Sequence, residues 1–351
     1  MTSFYPGPSR LYDGVERCLR DAVAEGILSN NHRSDAFMAL YKRTVGLLRQ
    51  KLGVPASYSV FFVSSATECW EIIAQSLVKE KSYHVFNGGF GKKWFIYTQR
   101  LTPGASAHPF SPEVTLPVSG LSANAYDSIC ITHNETSNGT AVSEQLLRNV
   151  RKKYPNHLIA VDATSSLGGI YLNFMWADVW FASVQKCFGL PAGLGILICS
   201  PNALKRAEEL GDRHRYNSLL TLHDHLKVWQ TSYTPNVLGI YLLMRVLQSV
   251  KPIREVEKKL LKRYARWEAF MSKSSLPFRF HIANPEVRSS TVLTFHTTER
   301  IVKQLKARTG KAGLLLGNGY GELKSCTFRV ANFPALREVE ITRLMQVLAD
   351  H

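Results

Sequence analysis

Three features of the sequence predict an α/β fold. Between residues 59 and 200, short apolar runs recur, each followed by a glycine or a polar turn. Stretches with helical character, near 67–79, 91–100 and 143–153, separate those runs. At 351 residues and 45% hydrophobic content, the chain can bury a large core. Together these predict a mostly parallel sheet with helices on both faces. In such sheets the active residues gather at the carboxyl ends of the strands.

Taken in order, residues 1–14 are rich in Pro and Gly and read as an N-terminal arm. A helix over 15–25 follows, then the polar loop 29–35. Residues 36–52 carry an apolar helical stripe of Phe37, Leu40, Tyr41, Leu47 and Leu48. The strands of the sheet are expected at 60–63, 84–86, 129–132, 158–161, 179–182 and 195–199, all rich in β-branched or aromatic residues. A long helix starts near Asn236, after Pro235, and runs toward Val250. After Pro252 a charged helix continues to about residue 273. The rest alternates: strand 291–295, helix 299–308, strand 326–330, helix 336–349. A boundary near 245–255 divides a large domain (15–250) from a smaller C-terminal α+β domain (251–351).

The formal net charge is +16, which attracts anions without naming one. The run 258–263 has helical spacing and reads as a solvated face. The six cysteines form no CxxC pair and read as reduced thiols of a cytoplasmic protein. MTSFYPGPSR has no signal-peptide pattern, and no apolar stretch reaches membrane-spanning length. His223, Asp224 and His225 point different ways in any regular structure, so no metal site is expected. Cys187 reads as packing.

The chemistry centres on Lys186 and Asp162. Each closes an apolar strand, and Lys186 enters a glycine-rich loop. A poorly solvated lysine loses its proton more easily than a surface one, and a neutral amine condenses with aldehydes. A carboxylate on a neighbouring strand end can pair with a protonated pyridine nitrogen. That combination is what pyridoxal 5′-phosphate requires. Ala66 and Thr67 open a helix, where exposed N–H groups and the helix dipole favour a phosphate; an ordinary helix cap by Ser65 or Thr67 is the plainer alternative. Phe90 can stack on a planar ring or simply join the core. Thr136, in the polar loop after 129–132, can bond a ring oxygen or a phosphate, and Gln185 can offer its amide to the same phosphate.

FYPGP, NHRS, SSAT, GGFGKKW, HNETSNG, VDATSSLGG, VQKCFGLPAGLG, YTPN and FRVANFPA occur in the order found in the class V aminotransferases. The chain resembles that family over nearly its whole length, and within it looks most like the phosphoserine aminotransferases. The resemblance implies a fold-type I pyridoxal-phosphate transferase that works as a homodimer with shared active sites, on small amino-acid and keto-acid substrates, with no nucleic-acid or membrane partner. It implies Lys186 as Schiff-base lysine, Asp162 as pyridinium partner and Phe90 as the stacking ring. Thr136 would sit near the ring oxygen, with Ala66, Thr67 and Gln185 around the phosphate. Thr234 would reach that phosphate across the dimer interface, although Tyr233 stands where the family usually has Asn. Arg329 would grip the substrate's α-carboxylate; His32 and Arg33 would meet its side chain from the partner subunit. The histidine that phosphoserine enzymes tend to carry shortly before the late arginine is missing from 317–329, leaving Arg33, Lys324 or Arg213 to supply positive charge. Other outcomes are a serine–pyruvate or alanine–glyoxylate aminotransferase, a cysteine desulfurase, or a basic binding protein without chemistry.

Overall fold

The computed structural model describes residues 1–272 and 275–350. Its strands, in chain order, begin with β1 (Thr2–Phe4), β2 (Ser59–Val63), β3 (Ser82–Phe86), β4 (Ser106–Pro109) and β5 (Ser128–Thr132). The short pair β6 (Asn134–Glu135) and β7 (Thr140–Ala141) follows, then β8 (Leu158–Asp162), β9 (Val179–Ser183) and β10 (Gly195–Cys199). The last are β11 (Arg279–Phe280), β12 (Val292–His296), β13 (Leu314–Asn318) and β14 (Thr327–Ala331).

The larger sheet has the order β2-β10-β9-β8-β5-β3-β4. From β9 to β4 every pairing is parallel, whereas β10 runs antiparallel to both its neighbours. Residues alternate between the faces. Val60 and Phe62 of β2 join one core, while Phe61 and Val63 join the other. In β8, Ile159 and Val161 face the first core, Leu158 and Ala160 the second. Two-sided burial explains why these strands read as continuous apolar runs. Each fully buried aromatic or branched side chain contributes about 1.5–3 kcal/mol. Helices Val15–Ala24, Asp35–Leu52, Glu144–Lys153 and Val237–Ser249 cover one face. Helices Ala66–Ser76, Pro201–Leu210 and Leu219–Leu226 cover the other.

The second sheet has the order β1-β13-β14-β12-β11. Its core holds Phe4, Trp267, Phe295 and Phe328. β1 pairs in parallel with β13, Thr2 opposite Leu314, so the arm contributes a strand to a sheet built mostly from residues after 279. The charged helix expected to reach about 273 ends at Met271; residue 273 itself lies outside the described residues. Within this helix one expectation fails. Arg263, read as part of a solvated face, is 1% exposed. Its two terminal nitrogens donate to the carbonyls of Leu336, Asn332 and Phe333, and the Glu338 carboxylate lies 3.7 Å from its Nε.

Candidate active site

The carboxyl ends of β5, β8 and β9 lie side by side, with Thr132 opposite Asp162 and Asp162 opposite Phe181. The loops leaving these ends, the start of helix Ala66–Ser76 and the arm enclose a cavity of about 260 Å³. Lys186, Asp162, Thr136, Phe90, Gln185, Ala66, Thr67 and Arg329 all line it. These eight positions span more than 260 residues of sequence, and the fold alone brings them together.

Lys186 is 7% exposed. Its ammonium donates to the hydroxyls of Thr136, at 2.8 Å, and Ser165, at 2.9 Å. It lies 5.2 Å from the centre of the Phe90 ring. Burial pulls the amine's pKa down to about 8, against the opposing pull of Asp162 and Glu135. Gly7 makes room for the lysine's stem: a Cβ there would stand 3.0 Å from Lys186 Cε, and its φ of +143° is one that side-chain-bearing residues rarely adopt.

Asp162 is 5% exposed, and burial pushes its carboxyl above the usual range. Thr164, Lys186 and Trp70 pull the other way. The Thr164 N–H donates to one carboxylate oxygen at 2.9 Å, and the Trp70 indole to the other at 3.3 Å. Burial thus outweighs these partners in setting the carboxyl's pKa.

Arg329 sits on β14, held by two of its donors. Its Nε donates to the Asn318 carbonyl at 2.6 Å and Nη1 to the Thr136 carbonyl at 2.7 Å. Burial lowers its pKa to about 10, so it stays charged at neutral pH. Ser65 caps helix Ala66–Ser76 by accepting from the Glu68 N–H, so the cap and an anion-favouring helix start coexist. The Ala66 N–H donates to the Ser183 hydroxyl at 2.8 Å.

Three predicted residues lie elsewhere. The Thr234 hydroxyl meets His32 Nδ1 at 3.4 Å, and Arg33 donates to Gln230 at 3.0 Å. None of the three lines the cavity of their own chain. Arg213 is exposed and ion-paired with Asp224, and so is committed elsewhere. No cluster of three or more metal-ligating side chains exists among the described residues. Cys187 is buried, and its thiol pKa is pushed far up by burial, which makes it inert.

Sequence reasoning missed several residues. Ser165 lies in the loop segment that named Asp162, one hydroxyl among several, and its contact with the lysine has no sequence signature. Glu135 is 1% exposed and accepts from the N–H groups of Phe90, Gly91 and Ser137, fixing the turn that carries the Phe90 ring. Tyr320 enters the cavity from a loop with no distinguishing pattern.

The sheet, the strand-end lysine and its buried carboxylate define an α/β transferase of the aminotransferase kind. The chain belongs to the class-V aminotransferase family, whose description matches residues 115–315. It is 30% identical to a phosphoserine aminotransferase of Rhodococcus opacus over 357 residues, 96% of this chain and 91% of the relative. A crystal structure of a phosphoserine aminotransferase from Cytophaga hutchinsonii superposes with a TM-score of 0.94 at 31% identity, covering 99% of this chain and 98% of that one. An aspartate aminotransferase of Thermus thermophilus shares the fold, with a TM-score of 0.86 at 22% identity over 99% of this chain and 98% of that one. The fold-type I architecture expected from the sequence is therefore the one found.

Proposed function

We propose that the protein transfers an amino group between glutamate and 3-phosphohydroxypyruvate, yielding phosphoserine and 2-oxoglutarate, with pyridoxal 5′-phosphate as cofactor. The observation that carries this reading is the joint placement of Lys186, buried Asp162 and Arg329 in one cavity. The names of the relatives support the phosphorylated substrate.

The cavity suits the cofactor. Buried oxygens of Thr132, Asn134 and Gln185, all cavity-lining residues, have no hydrogen-bond partner in the protein. Such atoms call for a polar ligand. Lys186 would hold the aldehyde, Asp162 the ring nitrogen and Phe90 the ring face. Thr136 would approach the ring oxygen, and Ala66, Thr67 and Gln185 the phosphate, with Thr234 of a second copy completing that end. When bound, pyridoxal phosphate takes up the electron pair released as the substrate's Cα–H bond breaks.

The chain's own groups do the rest. Arg329, with Nε and Nη1 tied to backbone carbonyls, keeps a fixed fork that orients the α-carboxylate. The Lys186 amine, with a pKa of about 8, is poised to accept the Cα proton and return it. The Thr136 and Ser165 hydroxyls keep that amine in reach of both positions. Glutamate enters and 2-oxoglutarate leaves before the second keto acid binds, in a ping-pong order. His32 and Arg33 face a partner's cavity in a homodimer. No helix among the described residues is long and apolar enough to cross a membrane, and the six free thiols suit a reducing cytoplasm.

The missing histidine before Arg329 favours a second reading, an alanine–glyoxylate or serine–pyruvate aminotransferase. Rates with phosphoserine, serine and alanine decide between them; no preference for phosphoserine removes the first reading. The Lys186→Ala protein should lose the cofactor's visible absorbance and about 10³-fold or more of its transamination. Retained activity would sink the mechanism.

A further inference from the structure

Beside two of the rings that line the cavity stands an exposed cationic group that the mechanism above does not use. Tyr320 lines the cavity beside Arg329 and Phe90. Its ring lies 5.0 Å from the Phe90 ring at an interplanar angle of 32°, and 5.6 Å from the Arg329 guanidinium. It packs so closely on the backbone that a Cβ at Gly89 would stand 2.6 Å from Tyr320 Cε1. The Tyr320 ring is therefore locked between the ring that would cover the cofactor and the arginine that would hold the α-carboxylate.

Lys93 rises from the same helix as Phe90 and brings its ammonium to 5.4 Å from the Tyr320 ring and 6.0 Å from the Phe90 ring. Tyr320 holds its pKa above the usual lysine value, outweighing the small opposing effect of burial. Among the described residues Lys93 has no carboxylate partner, whereas Arg213 is ion-paired elsewhere. An ammonium held against two cavity-lining rings, one of which also packs on Arg329, and free of an acidic partner is placed for an anion on the substrate rather than for fold stability.

We propose that Lys93, packed against the Tyr320 ring, receives the acidic side chain of the substrate from within the same chain, in the role left open by the missing histidine. The assignment rests on the proposed transamination and specifies how the acidic side chain is recognised. Arg329 fixes one end of the substrate, Lys186 meets its Cα, and Lys93 with Tyr320 meets the side-chain phosphate or carboxylate as it points to the mouth. Arg33 of a second copy would approach the same anion from outside. The anion is then shared between an ammonium supplied in cis and a guanidinium supplied in trans.

The test compares kcat/KM for acidic donors, phosphoserine and glutamate, with that for alanine, in holoenzyme of the parent, Lys93→Ala, Lys93→Arg and Tyr320→Phe. In Lys93→Ala the acidic-to-alanine ratio should fall about tenfold, mostly through KM of the acidic donor. Lys93→Arg, which keeps the charge, should restore most of the ratio, and Tyr320→Phe should lower it about threefold. A purely structural role would lower the rates with all donors together and leave the ratio unmoved. A ratio within twofold of the parent's in Lys93→Ala, or one that Lys93→Arg fails to rescue, overturns the assignment. The parent's own choice between phosphoserine and alanine tests the proposed function separately. A parent that prefers glutamate to alanine while ignoring phosphoserine would sink that substrate, yet Lys93 would still be judged by its glutamate ratio.

Discussion

The wall of the cavity and the outlying patch of His32, Arg33 and Thr234 make opposite use of the same chain. The three charged residues of the wall are buried, and each is held by two partners: Lys186 by two hydroxyls, Asp162 by a backbone N–H and an indole, Arg329 by two carbonyls. The patch residues are exposed or half-buried, with one long contact between Thr234 and His32 and one between Arg33 and Gln230. A side chain that acts on its own chain's substrate can be fixed during folding. One proposed to act on another copy's substrate is left at the surface of its own chain.

The largest effect that would sharpen this contrast falls on the wall. Asp162→Asn keeps the shape but removes the charge, and kcat should fall about 10²–10³-fold while the fold, read by circular dichroism, is retained. A loss below fivefold would mean that the buried carboxylate is structural. A second measurement follows the Lys186 amine. Its pKa of about 8 lies below the ordinary value of 10.5, so below pH 8 the amine is mostly protonated and has no lone pair to offer. Reductive trapping of pyridoxal phosphate on Lys186, read by mass spectrometry, should rise about tenfold per pH unit up to about pH 8 and level off above it. A rise continuing to pH 10 would show that burial does not tune this lysine. The smallest effect concerns the patch. If the proposed homodimer shares its sites, Lys186→Ala and Arg33→Ala proteins, each impaired alone, should recover about a quarter of parental activity when unfolded and refolded together, because half the pairs would be hybrids with one intact site. No recovery would place Arg33 outside the partner's cavity.

Much of the wall was legible because strand ends are legible. The apolar runs 158–161 and 179–182 stop where polar and small residues begin, and buried parallel strands give that signal whatever their partners. The Pro201–Leu210 helix also carries its own marks, a Ser200 cap, proline in the first turn and Gly211 at the end, although the strand–helix alternation did not call for it. Other elements had no local signal. β13 is a leucine run flanked by glycines, and its strand character comes from pairing with β14 and β1. β1 is three residues whose partner lies more than 300 positions away. Ser165, Glu135 and Tyr320 were hidden for the same reason: each is an ordinary residue in a polar loop until a distant segment arrives beside it. Arg263 was misread because charge in a helix usually means solvent; the carbonyls of Asn332, Phe333 and Leu336 and the Glu338 carboxylate, all distant in sequence, are what receive it inside.

The arm sets an order on how the molecule can mature. Residues 2–4 find their place only beside residues 314–316, and Pro6, Gly7 and Pro8 then form part of the cavity wall against the reactive lysine. During synthesis those first residues emerge long before their partners exist. The large sheet can assemble early, but its lysine stays uncovered until nearly the last strand has been made, so competence arrives late and all at once.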